Sequence, residues 1–221
     1  MSALLESLEI ETGANPTASV IWLHGLGADG NDFAPIVKEL TLPPGAIRFV
    51  FPHAPMQPVT INGGHVMRAW YDISNADLTR REDEAGVRAS QARVEALMAR
   101  ERERGIAQQR IVLAGFSQGG AIALQTGLRQ QQRIAGIMAL STYAPLAPWL
   151  AAEITAAGVA TPVFLAHGSA DSVIGLERAE ASRDLLHSLG CVVDWNEYPM
   201  PHSVCSDEID AIGEWLQRVL N

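Results

Sequence analysis

The feature that most constrains this chain is a rhythm of short apolar runs, each followed by a longer amphipathic segment. Val20-Ile21-Trp22-Leu23, Ile47-Arg48-Phe49-Val50-Phe51, Ile111-Val112-Leu113-Ala114, 134–140, Val163 to Ala166 and Val192 to Tyr198 read as strands. Strands that are apolar almost throughout need cover on both faces, which is the condition of a parallel sheet flanked by helices. The spacing of apolar residues predicts those helices. Asp29 to Leu40 puts Phe33, Ile36, Val37 and Leu40 on one face, and a segment capped by Asp83 and ending near Gly105 does the same with Val87, Val94, Leu97 and Met98. Gln118 to Gln130, Trp149 to Ala157, Leu176 to Leu189 and Ser203 to Leu220 are the others. The alternation predicts an α/β fold with a mostly parallel central sheet and helices on both faces. No repeat, low-complexity segment or linker breaks it, so one domain over residues 1–221 is expected. The stretch Pro52 to Asp77, rich in Pro, Gly and Asn, reads as irregular, and irregular stretches of that length in a compact domain often serve function.

A hydrophobic share of 48% and a charged share of 19% supply a large core. The formal charge of -9 argues against a nucleic-acid partner, which would need clustered Lys and Arg facing phosphates. The mixed-sign stretch Arg100 to Arg104 reads as a solvated helix end. Cys191 and Cys205 form neither a disulfide framework nor a metal pattern and read as reduced, small apolar residues. Met1 to Glu11 carries three glutamates and no basic residue, unlike a secretory signal. The most apolar stretch, Tyr143 to Ala166, is broken by Pro145, Pro148, Gly158 and Pro162, so it is not a membrane helix. The simplest reading is a soluble cytoplasmic protein with no stable membrane insertion.

Gly115-Phe116-Ser117-Gln118-Gly119 fits G-x-S-x-G at a place where the pattern has mechanical meaning. A strand ends just before it and a helix begins at Gln118. The turn between them is so sharp that side chains at 115 and 119 would collide, and the serine sits in a strained conformation at the helix N-terminus. There the free backbone N–H groups favour developing negative charge. The plainer alternative is a glycine-rich turn whose serine merely caps a helix; the flanking strand and helix favour a nucleophile.

A serine hydroxyl needs a histidine to take its proton, and on this kind of turn the chain order is Ser, then acid, then His. His187 and His202 are the histidines that follow an acid downstream of Ser117. His187 lies inside a helix, whereas His202 lies in a loop between the last strand and the final helix, at the edge where α/β proteins place ligands. Among the aspartates between Ser117 and His202, Asp184 is on the helix of His187, Asp194 is mid-strand, and Asp171 follows the strand at 163–166 in His167-Gly168-Ser169-Ala170-Asp171. Asp171 is thereby the candidate acid, although a turn or cap role also suits it. An acyl oxyanion needs two N–H donors; the N–H of Gln118 is one, and the glycine turn His24-Gly25-Leu26-Gly27 offers that of Leu26 as the other. His24 and His167 each precede a glycine at a strand end, where a ring can bond the turn backbone, while His53 and His65 fall in the long loop. No histidine pair has metal-ligand spacing, so no metal site is expected.

The segments Leu23 to Gly30, Arg68 to Asp72, Gly115 to Gly120, His167 to Asp171 and Met200 to Val204 together resemble the carboxylesterase family of α/β-hydrolases that includes acyl-protein thioesterases and lysophospholipases, its bacterial carboxylesterase branch most of all. The match keeps the same order over nearly the whole chain. The resemblance implies an α/β-hydrolase fold, cofactor-free hydrolysis of short- to medium-chain acyl esters or thioesters, and Ser117, Asp171 and His202 as catalytic residues with Leu26 and Gln118 as oxyanion donors. It also places Gly63 to Tyr71 beside an acyl groove and leaves a homodimer open. One departure is Pro201, where many relatives have glycine; proline should stiffen the His202 loop.

Met67, Trp70, Tyr71, Ile174 and Met200 are candidate residues for the apolar wall against which an acyl chain packs. Trp70 and Tyr71 suit a role as core anchors of the loop equally well. The alternatives to a carboxylesterase are an acyl-protein thioesterase or lysophospholipase, a hydrolase-fold binding protein without turnover, and a dienelactone hydrolase, which usually relies on cysteine where this chain has Ser117.

Overall fold

Among the described residues, nine strands and six helices follow in chain order. The strands are β1 (Ser7–Glu11), β2 (Ala18–Leu23), β3 (Ile47–Pro52), β4 (Met56–Val59), β5 (His65–Arg68), β6 (Ile111–Phe116), β7 (Gly136–Leu140), β8 (Val163–Gly168) and β9 (Val193–Tyr198). The helices are α1 (Glu84–Glu103), α2 (Gln118–Gly127), α3 (Ala147–Glu153), α4 (Ala156–Val159), α5 (Leu176–Ser188) and α6 (Ser206–Leu220). The structure is a computed structural model and describes residues 4–75 and 82–221. Seven strands form one sheet in the order β1-β3-β2-β6-β7-β8-β9, and every pairing is parallel except that of β1 with β3. Chain order reverses beside β2, whose neighbours are β3 and β6. That is the crevice where α/β folds take ligands, at the carboxyl ends of the strands.

Side chains alternate across the strands and divide the core in two. On one face Ile21, Leu23, Ile111, Leu113, Ile137, Val163 and Leu165 pack with Val87, Val94, Leu97 and Met98 of α1 and with Ile122 of α2. On the other, Val20, Trp22, Phe49, Phe51, Met138 and Phe164 pack with Ile212, Trp215, Leu216 and Leu220 of α6. Both faces of the sheet are therefore covered, as the apolar runs require.

Four local expectations are corrected. Asp29 to Leu40 is not an α-helix: the Asp29 carboxylate accepts from Asn31 N–H at 2.8 Å, and only Ala34–Lys38 coil, as a 3-10 turn with Pro35 near its start. An Asx turn competes with helix, and proline removes a donor. Ile36, Val37 and Leu40 are buried nonetheless. Within the stretch read as irregular, β4 and β5 pair as an antiparallel hairpin closed by Gly63 and Gly64, both at positive φ; Ala76 and Asp77, its last residues, lie outside the described residues. The helix expected over Trp149 to Ala157 is two, α3 and α4, because Thr155 starts afresh by capping Gly158 N–H at 2.8 Å. The charged stretch 100–104 is not wholly solvated: Glu101 is fully buried, bonded to Arg48 of β3 at 2.9 Å, and Arg104 reaches Glu9 and Glu101. This network ties β1 to the sheet edge and accounts for the arginine in an otherwise apolar β3.

Glu208 of α6 is also fully buried, and desolvation pushes its carboxyl from 4.5 up to about 8. The folded protein thus keeps a proton that the unfolded chain loses at lower pH, so this group makes stability fall as pH rises from about 4.5 to about 8. A Glu208→Gln variant should lose that slope, and its Tm should gain on the wild type progressively across the window. A Tm difference that does not vary with pH would contradict a protonated Glu208.

Candidate active site

The turn between β6 and α2 is built on close approaches. Ser117 has φ 54° and ψ −121°, a conformation L-residues rarely adopt. A Cβ at Gly115 would lie 2.4 Å from the carbonyl carbon of Gly119, and one at Gly119 would lie 2.2 Å from the carbonyl oxygen of Leu23. The turn therefore presses against the end of β2. Ser117 N–H donates to Leu140 O at 2.8 Å, and Thr142 Oγ1 donates to Ser117 O at 2.6 Å.

Two further loops converge on this turn from the ends of β8 and β9. Gly168 lets them close, since a Cβ there would lie 2.3 Å from Met200 O, and Ala170 N–H donates to Met200 O at 3.1 Å. The result sets His202 between Asp171 and Ser117. His202 Nδ1 is 2.6 Å from Asp171 Oδ2, and His202 Nε2 is 3.0 Å from Ser117 Oγ. Because a carboxylate oxygen only accepts, the Nδ1 proton faces Asp171 and the Nε2 lone pair faces the serine. Asp171 is itself held: Oδ1 accepts from Val173 N–H at 2.8 Å and Ile174 N–H at 2.9 Å. The buried His167 ring supports the same loop by donating from Nε2 to Ile174 O at 2.8 Å, with Asp171 Oδ2 at 3.4 Å. Phe116 packs on the His202 ring, centroids 4.7 Å apart.

On the β2 side, the His24 ring is locked. Ala54 N–H donates to Nε2 at 3.0 Å, so Nδ1 carries the proton and donates to Gly25 O at 2.7 Å. Burial lowers its pKa to about 4, leaving it neutral at pH 7. The turn that follows brings Leu26 into the cleft wall beside Gln118. Gln118 begins α2, where N–H groups lack intrahelical acceptors, and among the described residues neither its N–H nor that of Leu26 is bonded to a backbone acceptor.

Ser117 and His202 open onto a cleft of about 460 Å³ whose walls include Leu26, Ile61, Tyr71, Ile73, Tyr143 and Ile174. Of the five apolar residues expected along an acyl chain, Tyr71 and Ile174 face this cleft. Trp70 does not: it is fully buried, its indole N–H donating to His24 O at 2.8 Å, which makes it a core anchor. Met67 and Met200 are likewise not among the lining residues; Met67 packs over Gly27, and Met200 is buried where the two loops are stitched. Nothing in the sequence marks the role of the Gln118 side chain. Its Oε1 accepts from Trp70 N–H and its Nε2 donates to Tyr71 O, each at 2.7 Å, clamping one wall of the cleft to the nucleophile turn. Ile61, Ile73 and Tyr143 also line the cleft, and no sequence pattern marks them. His187 and His65 are exposed, and neither lines the cleft.

The phospholipase/carboxylesterase family profile matches residues 5–220. The chain belongs to that family. It is 42% identical to acyl-protein thioesterase 1 of Neurospora crassa over 94% of this chain and 89% of the relative, and 38% identical to acyl-protein thioesterase 1 of Yarrowia lipolytica over 96% of each. Among solved structures it is similar to acyl-protein thioesterase 2 of Zea mays, with a TM-score of 0.88 at 27% identity, covering 98% of this chain and 99% of that one. The fold is that of the α/β-hydrolases, and the chain is, like its family, a serine hydrolase acting on carboxylic esters or thioesters. No helix among the described residues is long and apolar enough to cross a membrane.

Proposed function

We propose that this protein is a carboxylesterase that cleaves esters of short to medium acyl chains through an acyl-enzyme on Ser117. The observation that carries the reading is the continuous line Asp171–His202–Ser117, at 2.6 and 3.0 Å, opening on an apolar cleft. In the proposed first step, His202 Nε2 takes the Ser117 proton as Oγ bonds to the acyl carbon, and Asp171 stabilises the imidazolium through Nδ1–H. The N–H groups of Leu26 and Gln118 receive the oxyanion; one such donor contributes roughly 3–4 kcal/mol to the transition state. Collapse breaks the bond to the leaving oxygen or sulfur, which takes the proton from Nε2. Water then repeats the sequence, its proton going to His202, and the carboxylic acid departs with Ser117 restored. No cofactor enters this sequence.

A second reading, acyl-protein thioesterase, is favoured by the identity to the fungal relatives. The same groups serve it, and a thiolate leaves with less help from the acid. A fluorophosphonate probe should label Ser117 and abolish hydrolysis of p-nitrophenyl esters; folded protein that stays unlabelled and active would refute the nucleophile. A rate series over acyl-chain length, with acyl thioesters alongside, separates the readings. A short-chain maximum without thioester turnover removes the thioesterase, and a clear preference for long-chain thioesters removes the short-chain esterase.

A further inference from the structure

Among the described residues that line the cleft, Asp32 is the only Asp, Glu, Lys or Arg. Its place relative to the reacting atoms follows from a chain of ring contacts. Phe116 packs on His202, Phe33 packs on Phe116 with centroids 5.4 Å apart, and Asp32 precedes Phe33. Asp32 therefore stands on the His202 side of Ser117. The opposite wall, Tyr71 with Ile73 and Ile61 beyond it, is held by the Gln118 side chain and carries no charge. Since His202 must hand its proton to the leaving atom, the leaving group lies on the His202 side and the acyl chain on the neutral side.

We propose that Asp32 is a specificity-determining residue that selects leaving groups carrying a quaternary or primary ammonium. The proposal rests on the hydrolase reading above. A carboxylate is complementary to an ammonium group through charge. Asp32 is short of compensation as it stands: no ion pair or side-chain hydrogen bond reaches it among the described residues. Partial burial, and after it the neighbouring Asp29, hold its carboxyl above the usual range. Asp29 is stabilised as an anion by Asn31 N–H and the Asn31 side chain, so a second negative charge borders the same rim. An arriving cation relieves both.

The test compares butyrylcholine with 3,3-dimethylbutyl butyrate, which share a shape and differ by the charge at one atom. The selectivity ratio, kcat/KM for the cationic ester over that for the neutral one, divided by the same ratio for hydroxide hydrolysis so that leaving-group acidity cancels, carries the result. The wild type should show a ratio of about five, the scale of an exposed ion pair, falling toward one as NaCl rises to roughly 0.5 M. Asp32→Asn should bring the ratio close to one, and Asp32→Lys should take it below one, an inversion that loosening of the cleft would not produce. A wild-type ratio near one, a ratio insensitive to salt, or the same ratio in all three proteins overturns the proposal. If the wild type hydrolyses neither ester, the short-chain esterase reading fails and this proposal falls with it.

Discussion

Ser117→Ala is expected to lower kcat/KM for a p-nitrophenyl ester by roughly 10⁴-fold or more, while the protein stays folded. The side chain makes one described hydrogen bond, to His202 Nε2 at 3.0 Å, and alanine keeps the backbone bonds that anchor the turn to Leu140 and Thr142. Loss of chemistry should thus come without loss of Tm. His202→Ala should fall by a similar factor, because the hydroxyl is a poor nucleophile without a base. The double variant should be little worse than either single, since the groups act as a unit. Rates that multiply in the double variant, or a Ser117→Ala protein retaining more than about a tenth of wild-type activity, would rule out the shared mechanism.

Gly119→Ala is expected to destabilise the fold severely through a single methyl group. Its Cβ would lie 2.2 Å from Leu23 O and 2.5 Å from His24 O, both backbone atoms at the end of a fully buried strand. Neither can withdraw without breaking the pairing of β2 with β6, so a cost of about 4 kcal/mol or more is anticipated. For a domain of this size that corresponds to a Tm drop of roughly 10 °C or more. Gly63→Ala is the informative control. It has nothing within 4 Å but sits at φ 67°, so only the left-handed penalty of about 1 kcal/mol applies. Equal melting losses in the two variants would show that steric contact with β2 is not what demands glycine at 119.

The parts of this fold that were legible in the sequence are those where burial dictates residue type. Strands β2, β6, β7 and β8 are covered on both faces, so their apolar runs mark them. The pentapeptide at 115–119 and the loop positions of Asp171 and His202 were equally readable, because the sharp turn and the order of the chain limit where partners can stand. Illegible were places where one interaction overrules periodicity. The Asp29 carboxylate takes the Asn31 N–H and turns a helix-like pattern into a bend. Strand β1 alternates Leu8 and Ile10 with Glu9 and Glu11, yet its docking depends on Arg48 and Arg104, remote in sequence. Trp70 and Tyr71 are adjacent in sequence, and only tertiary packing decides that one is a core anchor and the other a cleft wall.

Gln118 presents two aspects of one residue to two different tasks. Its main-chain N–H is the proposed oxyanion donor, and its side chain grips the backbone of Trp70 and Tyr71. Substrate fit and chemical reactivity are consequently geared together. A change that displaces the Tyr71 wall to admit a bulkier acyl group drags on the first residue of α2 and disturbs the alignment of the proposed oxyanion donor. Engineering a wider acyl preference should therefore start at Ile61 or Ile73, which are not tied to that gear, if turnover is to survive the change in taste.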